Sequence, residues 1–175
     1  PGGRQLQRDD ADILIRLDGE PFVWQKERLI NLGVAALPAH ARFVAWVDCD
    51  VVFENPDWTR LAAHELEREG GLLHLFRRAV HLPQHIAPFS TPDELAAIPP
   101  LIAEHSLGHA ASQGQGVQAL RACYDPASRR SYGNTSATGM ALAARRDTLE
   151  ACGLYDAAII GGGDSMLMCA ALGQL

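Results

Sequence analysis

Two carboxylates stand one residue apart in FVAWVDCDVVFENPDW (residues 43–58): Asp48 and Asp50, at the end of an apolar run. Side chains at i and i+2 share a face where the chain stays extended. Two carboxylates that close repel unless a proton or a cation lies between them. A hard divalent ion, Mg2+ or Mn2+, answers this economically, because oxygen ligands suit it and it can then hold diphosphate oxygens. The plainer alternative is that Asp48 caps a loop or helix and Asp50 is solvated. A third acid, Asp164, follows Gly161, Gly162 and Gly163 in GGGDS, where it is also well suited to cap a helix. His81 and His85 have i,i+4 spacing, but Pro83 between them disfavours a helix and any zinc pair on it. Cys49, Cys123, Cys152 and Cys169 form no C-x-x-C pair and read as reduced thiols.

The elements that must position these acids are legible as patterns. Ile13 to Leu17 is a short apolar run closed by Asp18 and Gly19, expected to be a strand in the interior of a sheet. Residues 23–37 space Val23, Trp24, Leu29, Ile30, Val34 and Leu37 at a helical period, with Pro38 as the stop. ARFVAWVD then shows almost no alternation, as a strand covered on both faces by helices would, so strand, helix and strand predict a parallel crossover. A helix is predicted over 56–69 before Gly70 and Gly71, and GLLHLF is a candidate third strand. Residues 81–135 are proline-rich and loop-like, with short helices near 93–98 and 116–123, the kind of segment that rims a ligand site. Order returns with a strand from ATGMALAA, a helix from about Asp147 to Cys152 stopped by Gly153, and a Gly-rich turn entering a last helix.

At 175 residues the chain matches one domain, with residues 1–80 and 81–175 as its two halves. The opening at Pro1 and the end inside a helical pattern allow it to be a fragment cut at both ends. An apolar fraction of 47% with 21% charged residues is ordinary for a globular protein. The net charge of −6, with 15 scattered Lys and Arg, argues against a nucleic-acid surface. No apolar run reaches the roughly 18–20 residues of a membrane helix and nothing resembles a signal peptide, so a cytoplasmic location is expected. Oligomeric state is left open.

WQKERLINLGVAALPAHARFVAWVDCDVVF (24–53) and TGMALAARRDTLEACGLYDAAIIGGGD (138–164) resemble, in this order, the two halves of family-2-type glycosyltransferases of the GT-A fold. Galactosyl- and N-acetylgalactosaminyltransferases carry a segment similar to the second. The resemblance implies a three-layer α/β/α sandwich with a mostly parallel sheet. It also implies a UDP- or GDP-sugar donor, Mn2+ or Mg2+ as cofactor, and a glycan or other hydroxyl acceptor. It assigns Asp48 to the nucleoside side of the donor and to the metal, Asp50 to the metal, and Asp164 to the base that takes the acceptor proton in inverting members. Gly161, Gly162 and Gly163 would let backbone approach sugar and phosphate before a helix N-terminus. Lys26 and Arg28 would reach a donor phosphate, although a solvated helix face is the commoner fate of such cations. Trp24 and Trp46 read as core, while Trp58 either stacks on a sugar or packs the next helix.

Two other readings compete. VAWVDCDVV also satisfies the D-x-D-x-[TV] string of phosphohydrolases of the haloacid dehalogenase type, with Asp48 as nucleophile and Asp50 as general acid, but SMLMCAALGQL after Asp164 holds no further acid. The second is a non-catalytic fragment of the GT-A type that binds nucleotide without turnover.

Overall fold

The computed structural model describes residues 6–17, 25–83, 91–127, 135–157 and 161–174. After a 3-10 turn at Arg8–Asp10, the first helix, α1, spans Lys26–Ala36 and turns Val34 into the core. It ends because Leu37 adopts an extended conformation (φ −65°, ψ 145°), as the residue before a proline is pushed to do. β1 (Phe43–Val47) follows, with Val44 and Trp46 buried and Ala45 and Val47 exposed. α2 (Trp58–Glu69) turns Ala62 and Leu66 inward and stops at Gly70, whose φ of 70° suits glycine. β2 (Leu72–His74) and β3 (Arg78–His81) come next. α3 (Pro92–Ala96) starts from a capping box in which the Thr91 hydroxyl accepts from the Glu94 N–H and the Glu94 carboxylate accepts from the Thr91 N–H.

β4 (Ile102–His105) leads into α4 (Leu107–Ser112), α5 (Gly116–Tyr124), β5 (Ala141–Arg145), α6 (Arg146–Cys152) and α7 (Gly163–Ala171). β5 lies between β1 and β2 and runs antiparallel to both, pairing Trp46 with Leu142 and His74 with Leu142 across its two edges. Its alanines, Ala141, Ala143 and Ala144, are at most 2% exposed, and their small side chains let neighbours close over the strand. β3 and β4 form a separate antiparallel pair. One core collects Val34, Val44, Trp46, Leu107, Leu120, Leu142, Leu149, Leu154 and Met168.

The expectation of a mostly parallel three-layer sandwich is corrected by these short antiparallel sheets. Its premise was a strand at Ile13–Leu17 crossing over to β1. Residues 11–17 instead form no strand, and Ile13, Ile15 and Leu17 are 46%, 44% and 57% exposed. β1 takes its partner from β5 and is buried on one face only, so its unbroken apolar run did not mark a strand covered on both sides. The helical positions α1, α2, α5, α6 and α7, the strands β1, β2 and β5, and the stop at Gly153 (φ 65°) agree with the sequence patterns. Val23, Trp24 and His85 lie outside the described residues. The pair β3–β4 and helix α4 were not anticipated within the loop-like stretch. Among the described residues no helix is long and apolar enough to cross a membrane.

Candidate functional site

Asp48 leaves the end of β1 with its N–H donating to Met140 O at 2.8 Å, one step beyond the β1–β5 ladder. That step requires Met140 to hold φ at 72°, the one positive φ outside glycine among the described residues. A side chain larger than glycine held there costs of order 1–3 kcal/mol, and such strain gathers at functional sites. Lys26, the first residue of α1, points into the same place. Its Nζ lies 2.8 Å from Asp48 Oδ1 and 3.1 Å from Asp164 Oδ2. The three side chains are 19%, 38% and 27% exposed, so the cluster is sheltered yet open to solvent on one side. Burial alone would lower the Lys26 pKa, but the hydrogen bonds and charges of Asp48 and Asp164 outweigh it and raise the pKa above the ordinary lysine value. The group is therefore an ammonium at neutral pH.

Asp164 stands in the first turn of α7, and its approach depends on two glycine-bearing segments. Gly161 and Gly162 have φ of 91° and 92°, and Gly162 caps the helix by accepting from Met166 N–H at 3.0 Å. Gly139, just before Met140, makes room for the carboxylate: a Cβ there would lie 2.2 Å from Asp164 Oδ2. Gly163 makes room for a different acid, since its Cβ would lie 2.1 Å from Cδ and Oε1 of Glu27. Glu27 is 5% exposed, and its Oε2 has no hydrogen-bond partner among the described residues. Its carboxylate sits against the first turn of α7, where a negative charge is favoured by the helix dipole. Asn31, one turn further along α1, donates to Leu154 O at 2.8 Å and accepts from Leu154 N–H at 3.0 Å. α1 is thereby tied to the segment that leads towards the glycine turn.

Lys26, Asp48 and Asp164 thus converge, beside Gly161–Gly163. Arg28 and Asp50 do not join them: both are exposed and make no hydrogen bond or ion pair among the described residues. The reason for Asp50 is local. Val51 N–H donates to Asp48 O at 3.2 Å, closing a turn, so Asp50 no longer follows Asp48 along an extended strand. Trp58 stacks on Phe53 with ring centroids 4.3 Å apart, and Trp46 is in the core. His81 pairs with Glu104 at 2.7 Å. Glu27, Gly139 and Asn31 went unrecognised in the sequence as parts of the site. A sequence signal existed only for Asn31, a polar residue on the apolar side of a helix.

No family model, curated protein or solved structure matches this chain. The chemistry of the cluster must then be judged on its own residues. Asp48 and Asp50 offer hard oxygen donors at the open end of β1, and Mg2+ is commonly held by one or two carboxylates with phosphate and water completing its shell. Among the described residues no three His, Cys, Asp or Glu side chains gather as a metal cage. Asp48, one oxygen of which Lys26 holds, and Asp50 would be the protein ligands of such an ion, and phosphate or water would have to supply the rest. A cleft at the opposite end of β1 and β5, lined by Arg42, Arg145 and Arg146, is a poorer candidate. Its arginines are already paired with Glu67, Asp147 and Glu150.

Proposed function

We propose that this chain is a metal-dependent glycosyltransferase that moves a sugar from a UDP- or GDP-sugar to a hydroxyl of a glycan or other acceptor, with inversion at the anomeric carbon. The observation that carries the proposal is the convergence of Lys26, Asp48 and Asp164 beside the Gly161–Gly163 turn. Lys26 and Asp48 come from the first of the two stretches that resemble glycosyltransferases, and Asp164 from the second. In this reading Asp48 and Asp50 would hold Mg2+ or Mn2+, which supplies neutralisation of the charge that grows on the departing diphosphate. Lys26 contributes a fixed ammonium for a donor phosphate oxygen. Asp164 accepts the proton of the acceptor hydroxyl as that oxygen bonds to the anomeric carbon. The bond from anomeric carbon to phosphate oxygen breaks, and its electron pair leaves with the nucleoside diphosphate.

Thermal unfolding in the presence of Mn2+ and a panel of sugar nucleotides tests the donor class, because a ligand that binds only the folded chain raises its melting temperature. Asp50→Ala is expected to abolish metal-dependent nucleotide binding, and Asp164→Asn to spare binding while removing transfer. A fully active Asp164→Asn chain would exclude it as the base. Hydrolysis of an aryl phosphate that is lost in Asp48→Asn, without any sugar-nucleotide binding, would replace this reading by the phosphohydrolase.

A further inference from the structure

We infer that Lys26 and the divalent cation compete for Asp48, so that metal is admitted together with the diphosphate and not ahead of it. The inference rests on the glycosyltransferase reading and adds to it an order of entry. Its basis is the bridging position of the ammonium, 2.8 Å from Asp48 Oδ1 and 3.1 Å from Asp164 Oδ2. Metal–oxygen distances in such sites are about 2.0–2.2 Å. An ion on the oxygen that Lys26 already holds would thus face a like charge within about 5 Å in a partly sheltered place, where repulsion is weakly screened.

The backbone that carries the ammonium is held, so the ammonium leaves Asp48 only by giving up that ion pair. Lys26 opens α1, the neighbouring Glu27 is buried against Gly163, and Asn31 ties the same helix to Leu154. A nucleoside diphosphate removes the conflict because its phosphate oxygens offer the ammonium a new anionic partner and offer the metal further ligands. Metal and diphosphate should then strengthen each other's binding reciprocally, with Lys26 setting part of the coupling. Arg28 and Asp50 are exposed and unpaired among the described residues, so neither relieves the competition beforehand.

The discriminating variant is Lys26→Met, which removes the charge and keeps the bulk. Mn2+ binding without nucleotide is followed by the loss of the free-ion electron paramagnetic resonance signal, and UDP and GDP binding by equilibrium dialysis with and without Mn2+. Lys26→Met is expected to bind Mn2+ alone at least tenfold more tightly than the parent chain, whereas Lys26→Arg stays near the parent and Lys26→Met with Asp48→Asn loses the gain. A merely structural lysine would give no gain in metal affinity. Unchanged or weaker Mn2+ binding in Lys26→Met, beside intact Mn2+-dependent nucleotide binding in the parent chain, overturns the competition and leaves the glycosyltransferase reading standing. Should neither nucleotide bind the parent chain with Mn2+, both fall. Melting curves check that Lys26→Met folds, and Lys26→Gln is the replacement if it does not.

Discussion

Gly139→Ala isolates the contact that holds Asp164 in place. The φ of Gly139 lies outside the left-handed region, so alanine meets no backbone penalty there and the effect must come from what the new methyl touches. It would meet Asp164 Oδ2 at 2.2 Å, Cγ at 2.7 Å and Cβ at 3.2 Å, where ordinary contact begins at 3.4 Å. The carboxylate can yield by rotating, but it then leaves the ammonium of Lys26 that it holds at 3.1 Å. Losing a hydrogen bond between charged groups costs about 1.5–3 kcal/mol, and the partial exposure of this pair brings the expectation down to about 1–2 kcal/mol. On the proposed reading, in which Asp164 is the general base, the loss of transfer should be far larger than this stability loss, of order 100- to 10,000-fold. Urea denaturation measures the first quantity, and transfer from, or slow hydrolysis of, the sugar nucleotide measures the second. The decisive comparison repeats Gly139→Ala in an Asp164→Ala background, where only the Cβ contact remains and the stability cost should largely vanish. Equal costs in the two backgrounds, within the roughly 0.3–0.5 kcal/mol expected of independent sites, would refute the claim that Gly139 is required by Asp164.

Two further predictions concern the frame around the cluster. Burial pushes the pKa of His74 down to about 4, against the nearby backbone of Thr138 and Ala137, which favours the charged ring. The unfolded chain, with an ordinary value of 6.5, then binds the proton first. Stability should accordingly be full above pH 6.5 and fall as pH drops through the interval down to about 4, by on the order of 3 kcal/mol. His74→Gln should flatten that part of the urea-denaturation profile, and an acid slope shared by both chains would contradict the assignment. Asn31→Ala strips both partners from the backbone of Leu154 and should cost about 2 kcal/mol, with Asn31→Asp, which keeps only the acceptor, falling between it and the parent chain on the same measurement.

How much of this was legible in the sequence depends on the range of the interaction that decides each feature. Helix periods, the proline after α1 and the glycine after α6 are local, and those elements lie where the patterns put them. Strand direction is not local. FVAWV reads the same whether its neighbour runs parallel or antiparallel, and only the pairing of Val47 with Ala141 and Phe43 with Arg145 decides. Site residues divide in the same way. Lys26, Asp48 and Asp164 stood out because their types and flanking motifs are unusual, whereas Glu27 and Gly139 look ordinary until Gly163 and Asp164 are brought against them.

The pair Asp48 and Asp50 shows how a turn changes what a two-residue spacing implies. The i,i+2 argument holds on a strand, but the Asp48–Val51 turn ends the strand first. The acid that ion pairs link to Asp48 is Asp164, through Lys26. Two carboxylates brought together this way repel unless a proton or a positive charge lies between them. Lys26 supplies that charge from α1 itself and, on the proposed reading, gives the position up to a ligand able to satisfy the lysine elsewhere. The same electrostatic requirement accounts for the ion pairs of the cluster and, on the proposed reading, for an ion that enters together with phosphate.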